Sequence, residues 1–170
     1  DQLGVIRYQT IYESNFFNAL TERSLQVEPI WEFASVALMS RNHPLSSQPV
    51  VQETDLLPYA EILYGDATIP SLPINQAREI AQAAETKKTI TVYERASQLE
   101  LLSRLESAYA LTSPMPQDVL DRFGLIQRRC DMPNNTFRAV LIYRAGYHMT
   151  RLDRLFIEKL RESAKRVLPE

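Results

Sequence analysis

Apolar side chains recur at helical spacing through much of this chain. Between Thr150 and Leu168, the residues Leu152, Leu155, Phe156, Leu160, Ala164, Val167 and Leu168 stand three and four apart, on one helix face. Arg151, Arg154, Glu158, Lys159, Arg161, Glu162, Lys165 and Arg166 fill the opposite, solvated face. Thr150 with Asp153 three places on has the form of a capping box and marks the helix start. A helix this one-sided needs a partner surface. Val5, Tyr8, Ile11, Tyr12, Phe16, Ala19 and Leu20 share a face and predict a first helix over residues 4–25. Pro29 suits the first turn of a second helix, with Ile30, Phe33, Ala34, Ala37 and Leu38 as its stripe. Asn42 and His43 before Pro44 end it, because a residue preceding proline is pushed out of the α region. An alanine-rich helix is expected over Ile74–Glu85, and short ones over 55–64 and 116–123, stopped by Gly65 and Gly124.

Two stretches read both ways. Thr89-Ile90-Thr91-Val92-Tyr93 alternates like a β-branched strand. Yet Val92, Ala96, Leu99, Leu102, Leu105 and Tyr109 fit one helical stripe, which favours a long helix from Thr91 to Thr112, broken by Ser113-Pro114-Met115-Pro116. Phe137–Tyr143 is almost continuously apolar, so it is buried on all sides. Asn135 or Thr136 as N-cap and Gly146 as terminator favour helix there too. The pattern therefore predicts an all-α fold, an irregular bundle of roughly six to eight helices with the last packed on the Thr91–Thr112 helix. The alternative is α+β, with a small sheet from 87–93 and 137–143. Residues 1–170 read as a single domain, with 42–73 as a subdomain connector rich in proline and serine.

Composition narrows the chemistry. Only four glycines occur, Gly4, Gly65, Gly124 and Gly146, and no Asn-Gly, Asp-Gly or Gly-Gly pair marks a hairpin. No two of them lie close enough for a phosphate loop, a dinucleotide fingerprint or a nucleophile elbow. The single cysteine, Cys130, cannot close an internal disulfide and reads as a buried apolar group. His43 and His148 are far apart in sequence, and one cysteine does not complete a zinc set, so neither metal nor cofactor is expected. No local signature announces a Ser–His–acid set, and carboxylates such as Glu94 and Asp118 read as solvated surface groups. The pattern leans away from an enzyme. No apolar run is long enough for a membrane span, and no signal peptide is visible. A cytoplasmic protein is the expectation, or, since the chain begins at Asp1, a processed form or excised piece of one.

Charge is distributed unevenly. Residues 1–115 carry 8 basic and 14 acidic side chains, a net −6, whereas residues 116–170 carry 11 and 7, a net +4. Most of the late basic residues are arginines, whose planar forks suit carboxylate or phosphate. Arg122, Arg128, Arg129, Arg138 and Arg144 are the candidate contacts to a protein partner or a nucleic acid; the acidic remainder of the same chain is the simpler match. Val119–Pro133 offers a helix and a turn at Phe123-Gly124-Leu125, as a helix-turn-helix would. Asp131 and Pro133 then fall where a recognition helix should run, so the match is poor. Trp31, Tyr59, Tyr64 and Tyr147 lie at expected loops and helix ends and are candidate interface aromatics. The leading expectation is a non-catalytic protein-interaction or regulatory domain, self-associating or bound to another protein. The alternatives are a nucleic-acid-binding regulator using the arginine-rich last third, and a ligand sensor or enzyme with a pocket in the core.

Overall fold

The computed structural model describes residues 3–65, 69–70, 72–73, 76, 78–79 and 87–167. It overturns the all-α expectation: among the described residues, nine strands in two sheets dominate, with five described α-helices around them. Contacts divide the chain into two compact units. One is formed by Asp1–Phe33, Ile69–Ser71 and Thr136–Glu170, the other by Ala34–Thr68 and Leu72–Asn135.

The first unit holds a three-stranded sheet in the order β1-β9-β2, from β1 (Leu3–Gln9), β2 (Leu25–Ala34) and β9 (Thr136–Arg144). β1 and β9 are antiparallel, with Val5 opposite Leu141 and Arg7 opposite Ala139. Ala139, Val140 and Leu141 are all buried, so consecutive residues that point to opposite faces are both covered. That two-sided burial is why β9 lacks alternation and was open to a helical reading. α1 (Glu13–Thr21) follows β1 through a 3-10 turn, and Phe16 stacks on Tyr8 with ring centroids 5.0 Å apart. Arg138 on β9 is held by Glu13 of α1 and Glu32 of β2.

α5 (Arg151–Val167) closes this unit, and its predicted capping box is present. Thr150 N donates to Asp153 Oδ2 at 2.7 Å, and Asp153 N donates to Thr150 Oγ1 at 3.2 Å. The buried face is only partly the expected one. Ile157 and Ala164 are buried and Leu160 and Val167 half-buried, whereas Leu152, Leu155 and Phe156 stand exposed. An ion pair from Arg161 to Glu28 ties the helix to β2.

The second unit is built on a six-stranded sheet in the order β4-β8-β3-β7-β5-β6. Its strands are β3 (Val36–Ser40), β4 (Val50–Gln52), β5 (Ala60–Tyr64), β6 (Thr89–Val92), β7 (Ala108–Thr112) and β8 (Leu125–Asp131). Alternate residues feed two cores, one on each face. Leu38, Ala108, Ala110 and Leu125 pack with α3 (Arg95–Arg104) and α4 (Gln117–Phe123). Ala37, Met39, Val51, Tyr109 and Cys130 pack on the other side with α2 (Glu53–Leu56). The expected Thr91–Thr112 helix is thus three elements, β6, α3 and β7, and only Arg95–Arg104 in its middle is helical.

The chain makes tight turns into strands without glycine. Ser24 before β2 and Asn134 before β9 take positive φ, 55° and 57°, without glycine. Gly124, at φ 64°, does end α4 as expected, but β8 follows it, so the Val119–Pro133 stretch is helix, turn and strand rather than two helices. The alternative strands at 87–93 and 137–143 exist, yet they belong to different sheets. Of the helix expected over Ile74–Glu85, Gln76, Arg78 and Glu79 are helical; its other residues lie outside those described.

Candidate functional site

Strand direction picks out the edge of the second sheet that can bind a ligand. β5 runs parallel to β6 and β7, β4 runs parallel to β8, and β3 runs antiparallel to both β7 and β8. Five strands therefore point one way and end along one edge, at Gln52, Tyr64, Val92, Thr112 and Asp131. In open α/β sheets, ligands sit outside the carboxyl ends of the strands, where backbone groups and loop side chains converge.

This edge is built from several locked groups. β6 ends at Val92, and the chain turns through Tyr93 and Glu94 into α3. Gly65 N donates to Val92 O at 2.8 Å, extending the β5–β6 pairing past the last strand residues. The ring of Tyr93 lies so close against Gly65 that a Cβ there would overlap it, although Tyr93 is 70% exposed. Beside it, the Arg95 guanidinium stands 4.9 Å from the centroid of the Tyr64 ring. Arg95 Nη1 donates to Gln98 Oε1 at 2.7 Å, and Gln98 Nε2 donates to Ile62 O at 3.0 Å. Gln98 is 2% exposed, so its amide is a buried bracket between the strand and the arginine. Farther along the edge, Asn135 Nδ2 donates to Ser35 O and to Cys130 O, both at 3.0 Å. Ser35 N returns a bond to Asn135 O at 3.2 Å.

Other polar groups of this unit lie inside it. Tyr109 OH donates to Glu61 Oε2 at 3.4 Å across the β5–β7 register, and burial pushes the Glu61 carboxyl up from its usual range. Burial also pushes the Cys130 thiol up to about 11. His43 is buried against Tyr59, accepts a bond from Leu45 N at Nδ1 and is pushed down by desolvation. The neighbouring pocket between Tyr109, Tyr59 and Lys87 has about 10 Å³ of free room, enough for roughly one water. In the first unit, an open cleft of about 430 Å³ runs along α5 past Glu28, Ile157 and Arg161, with charges of both signs on its walls. Among the described residues no His, Cys, Asp and Glu cluster suits a metal. No helix among them is long and apolar enough to cross a membrane.

The residues singled out from sequence scatter over these features. Arg128 donates to Ser46 O at 2.8 Å, and Arg138 is engaged by two glutamates, so both serve the fold locally. Arg122 on α4, Arg129 on β8 and Arg144 at the end of β9 are exposed. Trp31 is half-buried and tilted against Phe33, Tyr59 rests on His43, and Tyr147 OH donates to Asp153 at 2.6 Å. Only Tyr64 falls on the strand-end edge. Arg95, Gln98 and Tyr93 were missed because the helical reading ran through Val92 to Tyr109 without a break. Had Thr89–Val92 been taken as strand, the strand-to-helix junction at Tyr93-Glu94-Arg95 would have pointed to them.

Comparison with known proteins places this fold. No family model and no curated protein matches the chain. Solved structures do. The regulatory domain of MetR, a LysR family regulator from Neisseria meningitidis, aligns with TM-score 0.59 at 13% identity, over 99% of this chain and 72% of that one. The effector-binding domain of QuiR in complex with shikimate aligns with TM-score 0.58 at 16% identity, over 94% of this chain and 79% of that one. The reduced OxyR regulatory domain from Pseudomonas aeruginosa aligns with TM-score 0.59 at 14% identity, over 95% and 72%. The chain has the α/β fold of LysR-type regulatory domains.

Proposed function

We propose that this chain is a non-catalytic, ligand-sensing regulatory domain of a transcription regulator, taking a small effector at the strand-end edge of its second unit. The observation that carries this reading is the continuity of the likeness. It runs through 94% or more of the chain in domains that are regulatory or effector-binding in the relatives. The edge supports it, since it offers an oriented cation and exposed rings, which suit recognition.

Sensing by thiol oxidation fits this chain poorly. Its one cysteine is 5% exposed and its thiol is held protonated at neutral pH. A cytoplasmic setting belongs to the proposal, and so does self-association, for which the exposed Leu152, Leu155 and Phe156 supply apolar surface. The test is a thermal-shift screen of the 170-residue chain against small metabolites. At least one compound should raise the midpoint in a saturable, dose-dependent way. A broad screen without any such compound contradicts the reading.

A further inference from the structure

His43 is a buried imidazole on which a turn depends. It sits in the connection between β3 and β4, is 1% exposed, and lies against the Tyr59 ring with centroids 4.4 Å apart. Its Nδ1 accepts from Leu45 N at 3.0 Å, so the ring's one proton is on Nε2. Among the described residues no group accepts from that Nε2. A neutral imidazole is therefore built into the turn as an acceptor, and no carboxylate bonds to it to favour the charged form.

Few bonds besides this one hold the turn. His43 N donates to Ser40 O at 3.1 Å, Ser46 N to His43 O at 2.8 Å, and Gln48 N to Leu45 O at 3.1 Å. Arg128 Nε on β8 donates to Ser46 O at 2.8 Å and ties the turn to the sheet. Leu45 seats it in the core with Val51, Leu56, Tyr109 and Cys130. The ionisable groups on these elements are engaged elsewhere. Arg41 pairs with Asp121, Asp55 of α2 accepts from Gln52 N, and Lys88 donates to Pro58 O. Glu61 accepts from Tyr109 OH, Glu53 acts on Tyr109 and Cys130, and Arg129 and Asp131 on β8 are exposed. Burial alone pushes His43 below its ordinary value, and none of these charges acts on it.

We infer that His43 is a proton-operated latch on the β3–β4 connection, closed while the imidazole is neutral and opened when it is charged. Protonation turns Nδ1 from acceptor into donor, so that it meets the Leu45 N–H donor to donor. A buried charge with no counter-ion and two unpaired donors then favours a turn that swings out into water. The folded-state pKa lies below the unfolded one. The latch is therefore intact above the ordinary histidine range and weakens as pH falls through that range toward the folded value. The opening is local: it releases Ser46 from Arg128 and loosens β4, three residues long at the sheet edge. This latch stands independently of the effector reading above.

Hydrogen exchange in the ¹⁵N-labelled 170-residue chain tests this, read as protection factors so that the intrinsic pH dependence cancels. Between pH 7.5 and pH 5, protection at Leu45 and Ser46 should fall at least about fivefold, while Leu38 and Ala110 in the sheet keep theirs. H43N retains an acceptor at the Nδ1 position but takes no proton, so its protection should stay flat over this range. The imidazole ¹⁵N shifts, with the signal lost in H43N marking His43, should show the Nε2–H tautomer at neutral pH. Protection at Leu45 that is flat in the wild type, or that still falls in H43N, overturns the inference. So does an equal loss at Leu38 and Ala110, or a proton on Nδ1 at neutral pH. If H43N does not fold, the wild-type exchange and the tautomer decide by themselves.

Discussion

Glu61 is a carboxyl placed where water is scarce. It is 8% exposed, and its ordinary partner in the fold is the Tyr109 hydroxyl. Desolvation raises its pKa, with Lys87 and Tyr109 opposing only in part. A raised value in the folded state means that the fold prefers the protonated carboxyl. The stability this confers is complete at acid pH and is lost as pH rises through the folded pKa. Glu61→Gln keeps an acceptor for Tyr109 but cannot ionise. Its melting temperature should match the wild type near pH 4 and exceed it by about 2–5 °C at pH 7. A difference that stays flat with pH would contradict the assignment. Cys130 makes a companion case. With the thiol buried and pushed up to about 11, its reaction with a disulfide reagent at pH 7 should be at least tenfold slower in the native chain than in denaturant.

The elements show where the sequence was legible and where it was not. α4 with its Gly124 stop, and α5 with its Thr150–Asp153 cap, could be read because their signals are local: a left-handed terminator and a reciprocal pair of hydrogen bonds. The strands could not. β3, β7 and β9 are covered on both faces, so Val36-Ala37-Leu38-Met39 and Ala139-Val140-Leu141 show no period of two, and nothing local separates them from buried helix. β6 carried the β-branched signal, but a neighbouring stripe at helical spacing outweighed it. α5 misled more subtly. Its apolar residues cover two faces, and only coordinates tell which one the fold uses. Truncation distinguishes them. Ile157→Ala should cost about 2–4 kcal/mol in denaturant unfolding, whereas Leu155→Ala should cost less than about 1 kcal/mol. Equal costs would mean that the helix is rotated from the position described.

At the scale of the whole molecule, part of the uneven charge is matched internally. Arg138 meets Glu13 and Glu32, and Arg161 meets Glu28, so basic groups of the last third are matched by acids of the first. The chain should therefore leave heparin at low salt, without the steep salt dependence of a phosphate-binding protein. Retention beyond physiological ionic strength would restore the nucleic-acid reading for these residues. The candidate site followed the same logic of scale. No short motif marks it, because it is assembled from the ends of strands far apart in sequence, and strand order becomes visible only in the fold.

The most direct test of the account is an amide chemical-shift map of the ¹⁵N-labelled chain, titrated with the strongest ligand from the metabolite screen. The account predicts that the largest saturable shifts fall at the strand ends of the second unit, with Gly65, Tyr93 and Arg95 foremost. Shifts centred instead on the cleft along α5, or around the buried Glu61–Tyr109 pair, would contradict it.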